Sequence, residues 1–293
     1  MKGIHFLLSY TCNKACDHCF VYGSPQAEGT FTLDRIRRVL DELPKIGTIE
    51  TVCFEGGEPF LFYPVMLEAM RLARARGFGV GAVTNAYWAS SAEDAEAWLR
   101  PLHELGMPGV SVSDDSLHYG EGEAARAANV RAAAERLGMN VSLLRTEKPS
   151  VVVNADGTRS VGGSVMFRGR AAEKLLAGLP TRPYGEFTKC PHEDLRNPAR
   201  VHVDTYGNVH LCQGLSMGNM WETPLAELVR GYDPDAHPVA GPILRGGPAR
   251  LAEELGVAHA PEYVSACHLC YEVRKALIGR FPQYLSPRQI YGL

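Results

Sequence analysis

No stretch of this sequence approaches the roughly 18 consecutive apolar residues of a membrane span. The opening, MKGIHFLLSYTC, has one basic residue and a short apolar run but no cleavage site of a secretory signal. With both signals missing, the cytosol is the expected location and no membrane partner is expected. An excess of charge is missing too, since 30 Lys and Arg face 33 Asp and Glu for a formal net charge of -3. Nucleic acid is therefore not an expected partner either. There is no internal repeat and no low-complexity segment, which argues against a solenoid or a long disordered tail.

What is present is an ordinary globular composition, 45% hydrophobic and 22% charged over 293 residues. A chain of this length forms one large domain, or a large domain with a small companion, and buries about three quarters of its unfolded surface. It needs no disulfide staples. The eight cysteines, at tight spacings in a reducing compartment, read as metal ligands.

From residue 4 to about 144, short apolar runs alternate with helical periodicity. Strands are expected at 4–8, 49–54, 78–84, 110–113 and 140–144. Helices are expected from Thr32, a good N-cap, to Pro44, and at 64–76, 91–105 and 121–137. After an irregular stretch with a hairpin-like turn at 154–157, a strand is expected at 165–167 and a helix at 171–179. Strand-helix units in series imply an α/β fold with a parallel sheet curled into a partial (β/α)6 TIM-like barrel. Pro180, Pro183 and Gly185 mark a boundary, giving domains 1–180 and 181–293. The second, small and α+β, begins with a two-stranded ribbon at 201–204 and 208–212, then Pro/Gly-rich connections and a short helix at 224–229.

Cys12, Cys16 and Cys19 follow the first strand with the spacing C-x3-C-x2-C. Three thiolates hold three corners of an iron-sulfur cubane and leave one iron open to a small ligand. Zinc would need a fourth ligand, and His18 is poorly placed to supply it. With Phe20 after the loop, this pattern resembles the radical S-adenosylmethionine (SAM) superfamily. Gly56, Gly57, Glu58 and Pro59 match that family's GGEP element, which binds the methionine amino group of SAM. The glycines would let backbone approach the ligand, and Glu58 would offer a carboxylate to an ammonium. By the same resemblance, Thr84, Asn85, Ser113 and Asp115, at the ends of the third and fourth strands, contact the SAM carboxylate and ribose. Arg126 would pair with the SAM carboxylate or stand as a solvated helix-face arginine, and Val165 and Phe167 would pack on adenine or belong to the core.

A second set, Cys190, Cys212, Cys267 and Cys270, contains G-x4-C from Gly207 and a closing C-x2-C pair. Four thiolates would close a metal site, zinc or cubane, without leaving an open iron. The set resembles the auxiliary-cluster domain of SPASM and twitch radical SAM enzymes. The gap from Cys190 to Gly207 is slightly longer than usual, and the cysteines for a second auxiliary cluster are missing. The shorter twitch form with one auxiliary [4Fe-4S] cluster is implied.

One cysteine remains. Cys53 is two residues before Glu55 on the second strand and shares its face. The family position of Glu55 faces substrate, so Glu55 is a candidate substrate contact or general base, against a structural carboxylate. Cys53 is a candidate hydrogen-atom donor, against a small core residue. His118 and Tyr119 lie just past the fourth strand, near the expected mouth.

The resemblance implies that SAM is cleaved to a 5'-deoxyadenosyl radical, which abstracts a substrate hydrogen, using a reducing donor such as flavodoxin or ferredoxin. Oxidation or epimerisation of a small molecule is the expected outcome, partly because no leader-recognition extension is seen at the N-terminus. A peptide-modifying maturase is the alternative, and an iron-sulfur electron carrier a remote one.

Overall fold

A computed structural model describes residues 1–119 and 125–293. The chain divides into two compact units. The first comprises Met1–Ala15, Gly23–Thr146 and His202–Thr205, and the second Cys16–Tyr22, Glu147–Val201 and Tyr206–Leu293.

In the first unit the expected alternation is present: β1 (Gly3–Ser9), α1 (Leu33–Ile46), β2 (Thr51–Gly56), α2 (Tyr63–Ala75), β3 (Gly79–Thr84), α3 (Ala92–Glu104), β4 (Gly109–Ser113), α4 (Ala125–Leu137) and β5 (Asn140–Leu144). Part of the helix expected over 121–137 lies outside the described residues. Strands β1 to β5 pair in sequence order, all parallel. The fold is therefore α/β, of the partial TIM-like barrel type. Residues 202–204 of β9 (Arg200–Asp204) lie beside β1, on the side away from β2.

Local chemistry explains the helix bounds. The Thr32 side chain accepts from the Arg35 N–H and starts α1, and the Ser91 side chain accepts from the Asp94 N–H and starts α3. Pro44 does not end α1 as expected. It sits in the last turn, where it forgoes the bond its N–H would make to the Leu40 carbonyl, and Gly47, left-handed at φ 79°, closes the helix with its N–H on the Leu43 carbonyl. Ile36, Val39, Leu40 and Leu43 form the buried stripe of α1, each contributing roughly 1.5–3 kcal/mol. On β2, Val52 and Phe54 are buried and Phe54 stacks on Phe6, leaving Cys53 and Glu55 on the opposite face.

The second unit holds the hairpin β6 (Ser150–Val153) and β7 (Arg159–Gly162), with the expected turn between them. It continues with α5 (Ala171–Lys174), β8 (Arg182–Pro183), β10 (Asn208–Cys212), β11 (Leu215–Asn219), α6 (Leu225–Gly231), α7 (Ala240–Leu255), β12 (Glu262–Tyr263) and α8 (Ala266–Leu277). The strand expected at 165–167 does not form. Just beyond it Arg170 is tied to the loop at 16–20, its N–H and guanidinium bonding the Cys19 and Cys16 carbonyls. Gly169, at φ 59°, packs so close to Cys19 that a Cβ would lie 2.5 Å from its carbonyl oxygen. Helix α5 is shorter than the expected 171–179: the chain leaves helical geometry at Leu175, and Gly178 turns left-handed before Pro180. The ribbon's third strand, β11, and helices α7 and α8 were not expected. Among the described residues no helix is long and apolar enough to cross a membrane.

Candidate functional site

The first candidate centre lies where β1, β2 and β3 end. Gly56 and Gly57 are required there by close backbone approach. A Cβ on Gly56, at φ 131°, would meet the Ser9 carbonyl oxygen at 2.4 Å, and one on Gly57 would meet that of Thr11 at 2.2 Å. The Gly57 N–H donates to the Ser9 carbonyl (2.6 Å) and the Glu58 N–H to that of Thr11 (3.0 Å). The two glycines thus bind the start of the cysteine loop to β2, a packing role that precedes any ligand.

Glu58 is buried, 1% exposed, and its carboxylate gathers three donors: the Phe60 N–H (3.0 Å) and Thr84 hydroxyl (2.8 Å) on Oε1, and the Asn85 N–H (2.7 Å) on Oε2. Burial pushes its pKa up to about 7, against the pull of the Asn85, Phe60 and Thr84 bonds. Asn85 extends the network, its Nδ2 donating to Asn13 Oδ1 (2.8 Å) and, over 3.7 Å, to Cys12 Sγ. The Lys14 N–H also points at Cys12 Sγ, 3.4 Å away. Cys12, Glu58, Thr84 and Asn85 are thus one connected set.

Ser113 is buried at the end of β4. Asp115 accepts from the Leu117 and Thr146 N–H groups, and its Oδ2 is 3.0 Å from His118 Nδ1. Burial raises the Asp115 pKa, but His118 and those backbone N–H groups outweigh it and hold the carboxyl at about 2. Tyr119 donates its hydroxyl to the Asn85 carbonyl (3.1 Å). Arg126 is half-buried on α4.

Glu55, a candidate substrate contact or general base against a structural carboxylate, lies within hydrogen-bond reach of two histidines. His202 Nε2 is 2.6 Å and His5 Nδ1 3.1 Å from its Oε1. Burial pushes this carboxyl up, and the bonds from His202 and then His5 overcome it, holding it well below the usual range. Cys53 pairs with His5 across β1 and with Gly81 across β3.

In the second unit, Cys190, Cys212, Cys267 and Cys270 line one cavity together with Arg168 and Arg274. Burial pushes the Cys267 thiol up to about 12 and the Cys270 thiol up to about 11. Both guanidiniums are buried. Arg168 Nη1 donates to Cys212 Sγ (2.9 Å), Arg274 Nη1 donates to the Gln213 carbonyl (3.0 Å), and the Arg168 Nε–H is buried without an acceptor among the described residues. Four soft donors, two buried cations and an unused N–H fit an anionic thiolate-metal centre.

A family model described as the radical SAM superfamily matches residues 6–140. Residues 6–140 are a radical SAM domain. This region bears the three-cysteine motif and GGEP, and the family implies SAM and a [4Fe-4S] cluster. The chain is 27% identical over 117 residues to YydG of Bacillus subtilis (strain 168), a protein named for peptide biosynthesis, covering 40% of this chain and 37% of that one. It is 30% identical over 118 residues to the tungsten-containing aldehyde ferredoxin oxidoreductase cofactor-modifying protein of Pyrococcus furiosus, covering 40% and 32%. The chain thus matches about a third of the length of each curated relative. Among solved structures, BtrN in complex with AdoMet and 2-DOIA aligns over 78% of this chain and 81% of its own, at 16% identity and TM-score 0.49. The anSMEcpe structure with bound AdoMet and Cp18Cys peptide aligns over 96% and 97%, at 14% identity and TM-score 0.47.

Within the radical SAM domain, Cys12, Gly56, Gly57, Glu58, Thr84 and Asn85 come together at the strand ends, and Pro59 begins the one-turn helix Pro59–Phe62. Cys16 and Cys19 lie on the loop of the second unit, the Cys19 N–H donating to the Cys16 carbonyl. Val165 is half-buried and Phe167 buried on an irregular segment. Sequence reasoning missed Asn13, His5, His202, Arg168 and Arg274. Asn13 was adjacent to a motif, whereas the others become significant only through strand pairing or burial.

Proposed function

We propose that this chain is a radical SAM enzyme that abstracts a hydrogen from its substrate and carries one auxiliary [4Fe-4S] cluster on Cys190, Cys212, Cys267 and Cys270, leading to oxidation or epimerisation of a small molecule. Cys12, Cys16 and Cys19 would hold the SAM-binding cluster, which, once reduced, supplies a 5'-deoxyadenosyl radical from SAM. Glu58 would receive the methionine ammonium on Oε2, which among the described residues accepts one hydrogen bond, from the Asn85 N–H. Asn13 and Asn85 would hold Cys12 in place, and Ser113, Asp115, Arg126, Val165 and Phe167 remain proposed SAM contacts. For epimerisation, Cys53 would return the hydrogen.

The observation that carries the auxiliary cluster is the four-thiol cavity flanked by two buried guanidiniums. Peptide modification is the second reading, favoured by the similarity to YydG. The test is anaerobic reconstitution, then reduction with SAM present. Formation of 5'-deoxyadenosine and roughly eight irons per chain are expected. No 5'-deoxyadenosine would remove the enzymatic reading, and about four irons with stoichiometric zinc would remove the auxiliary cluster.

Arg168 supplies a further check. Replacing it by Met removes a charge-assisted bond to Cys212 and a buried cation beside the cavity. The potential of the auxiliary centre should become more negative by tens of millivolts in a redox titration, with Arg168→Lys shifting it less.

A further inference from the structure

We propose that His5, Glu55 and His202 form a third metal site, separate from both cysteine sets, which takes one divalent first-row transition metal ion. The three side chains come from β1, β2 and β9 within the first unit. Each offers one ligand atom, and these atoms all lie within 4.8 Å of one another. His202 Nε2 and His5 Nδ1 both address the same oxygen, Glu55 Oε1, at 2.6 and 3.1 Å. Donors about 2.0–2.2 Å from a tetrahedral ion lie about 3.4 Å apart, so the three side chains would open by less than about 1 Å from their present hydrogen-bonded separations to share one ion.

The rings meet nearly edge to face, at 75° with centroids 5.1 Å apart. This geometry lets the two imidazoles approach one point without stacking. Side-chain exposures of 23%, 16% and 7% for His5, Glu55 and His202 leave the group partly open. Two imidazoles and a carboxylate suit zinc, cobalt or ferrous iron, and three protein ligands leave positions for exchangeable ones. Coordination replaces the hydrogen bonds now made to Glu55: each histidine would bind through the nitrogen that faces the carboxylate, with that nitrogen deprotonated.

The proposal does not depend on SAM chemistry, because its test needs neither SAM nor turnover. Protein with its clusters reconstituted is incubated with zinc, passed through gel filtration, and assayed for zinc and iron together. One zinc per chain beyond the iron content is expected for the wild type. In His5→Gln, His202→Gln and Glu55→Gln the zinc should fall to background with iron unchanged, and affinity should drop by more than the about 10–100-fold typical of losing a mere outer-shell partner. Unchanged iron shows that the variants fold. His5→Gln, altering the most exposed of the three, keeps the test usable if a buried substitution fails to fold. Absence of zinc from iron-loaded wild type, or equal zinc in wild type and His5→Gln, overturns the proposal.

Discussion

Replacing Cys12, Cys16 and Cys19 together by Ala should reduce 5'-deoxyadenosine formation more than about a thousandfold, while about four irons per chain remain. The expectation follows from the coordination the three thiolates provide. In the proposed function they would hold three corners of a cubane and leave the fourth iron for SAM, so their loss would remove that open iron. The retained irons would belong to the four-thiol cavity of the second unit, whose ligands are untouched. The reciprocal variant, Cys270→Ala, should keep SAM cleavage and lose the other half of the iron. Iron analysis and chromatographic assay of 5'-deoxyadenosine check both. Loss of all iron in the triple variant would mean that the two sets are not independent.

Glu58→Ala should lower stability by about 3–5 kcal/mol, because it orphans the buried Asn85 N–H, Phe60 N–H and Thr84 hydroxyl, each costing about 1–3 kcal/mol when left without a partner. For a chain of this size that corresponds to a fall in Tm of about 10 °C, read by calorimetry. The wild-type carboxyl also predicts a pH dependence. Its pKa stands at about 7, above the ordinary 4.5, because burial penalises the charge. The sign follows: the SAM-free protein loses stability from this group as pH rises from about 4.5 to 7, since only the unfolded chain releases the proton freely there. An ammonium placed on Glu58 reverses the penalty. SAM affinity should therefore rise as pH rises from 6 to 7, by up to about tenfold, and level off above about 8. Glu58→Gln should flatten that profile, and a profile unchanged by the substitution would remove Glu58 from SAM binding.

Much of the first unit was legible because its signals are local. Thr32 and Ser91 cap helices with their own side chains, apolar residues recur at helical spacing on α1, and Val52 and Phe54 alternate with Cys53 and Glu55 along β2. The second unit was harder to read. Its α7 is two helical segments that meet at a kink, where Gly246 and Gly247 leave helical geometry just before Pro248, so composition there reads as a loop. The cysteines of the C-x2-C pair lie on α8, which begins at Ser265, whose side chain accepts from the His268 N–H, a cap hidden by the metal-knuckle reading. The segment at 165–167 is irregular, and just beyond it Arg170 bonds the Cys16 and Cys19 carbonyls, contacts distant in sequence that composition does not show.

The cysteine inventory, its spacings and the GGEP element were determined by sequence alone, and they suffice to name the superfamily, because metal ligation and a tight glycine turn demand particular residue types at short range. What each residue touches was decided by the tertiary structure. Only strand pairing brings His5 and His202, 197 positions apart, to one oxygen of Glu55. Only burial places Arg168 and Arg274 beside four thiols. Charge and coordination act through space over a few ångströms, whereas sequence periodicity reports neighbours along the chain.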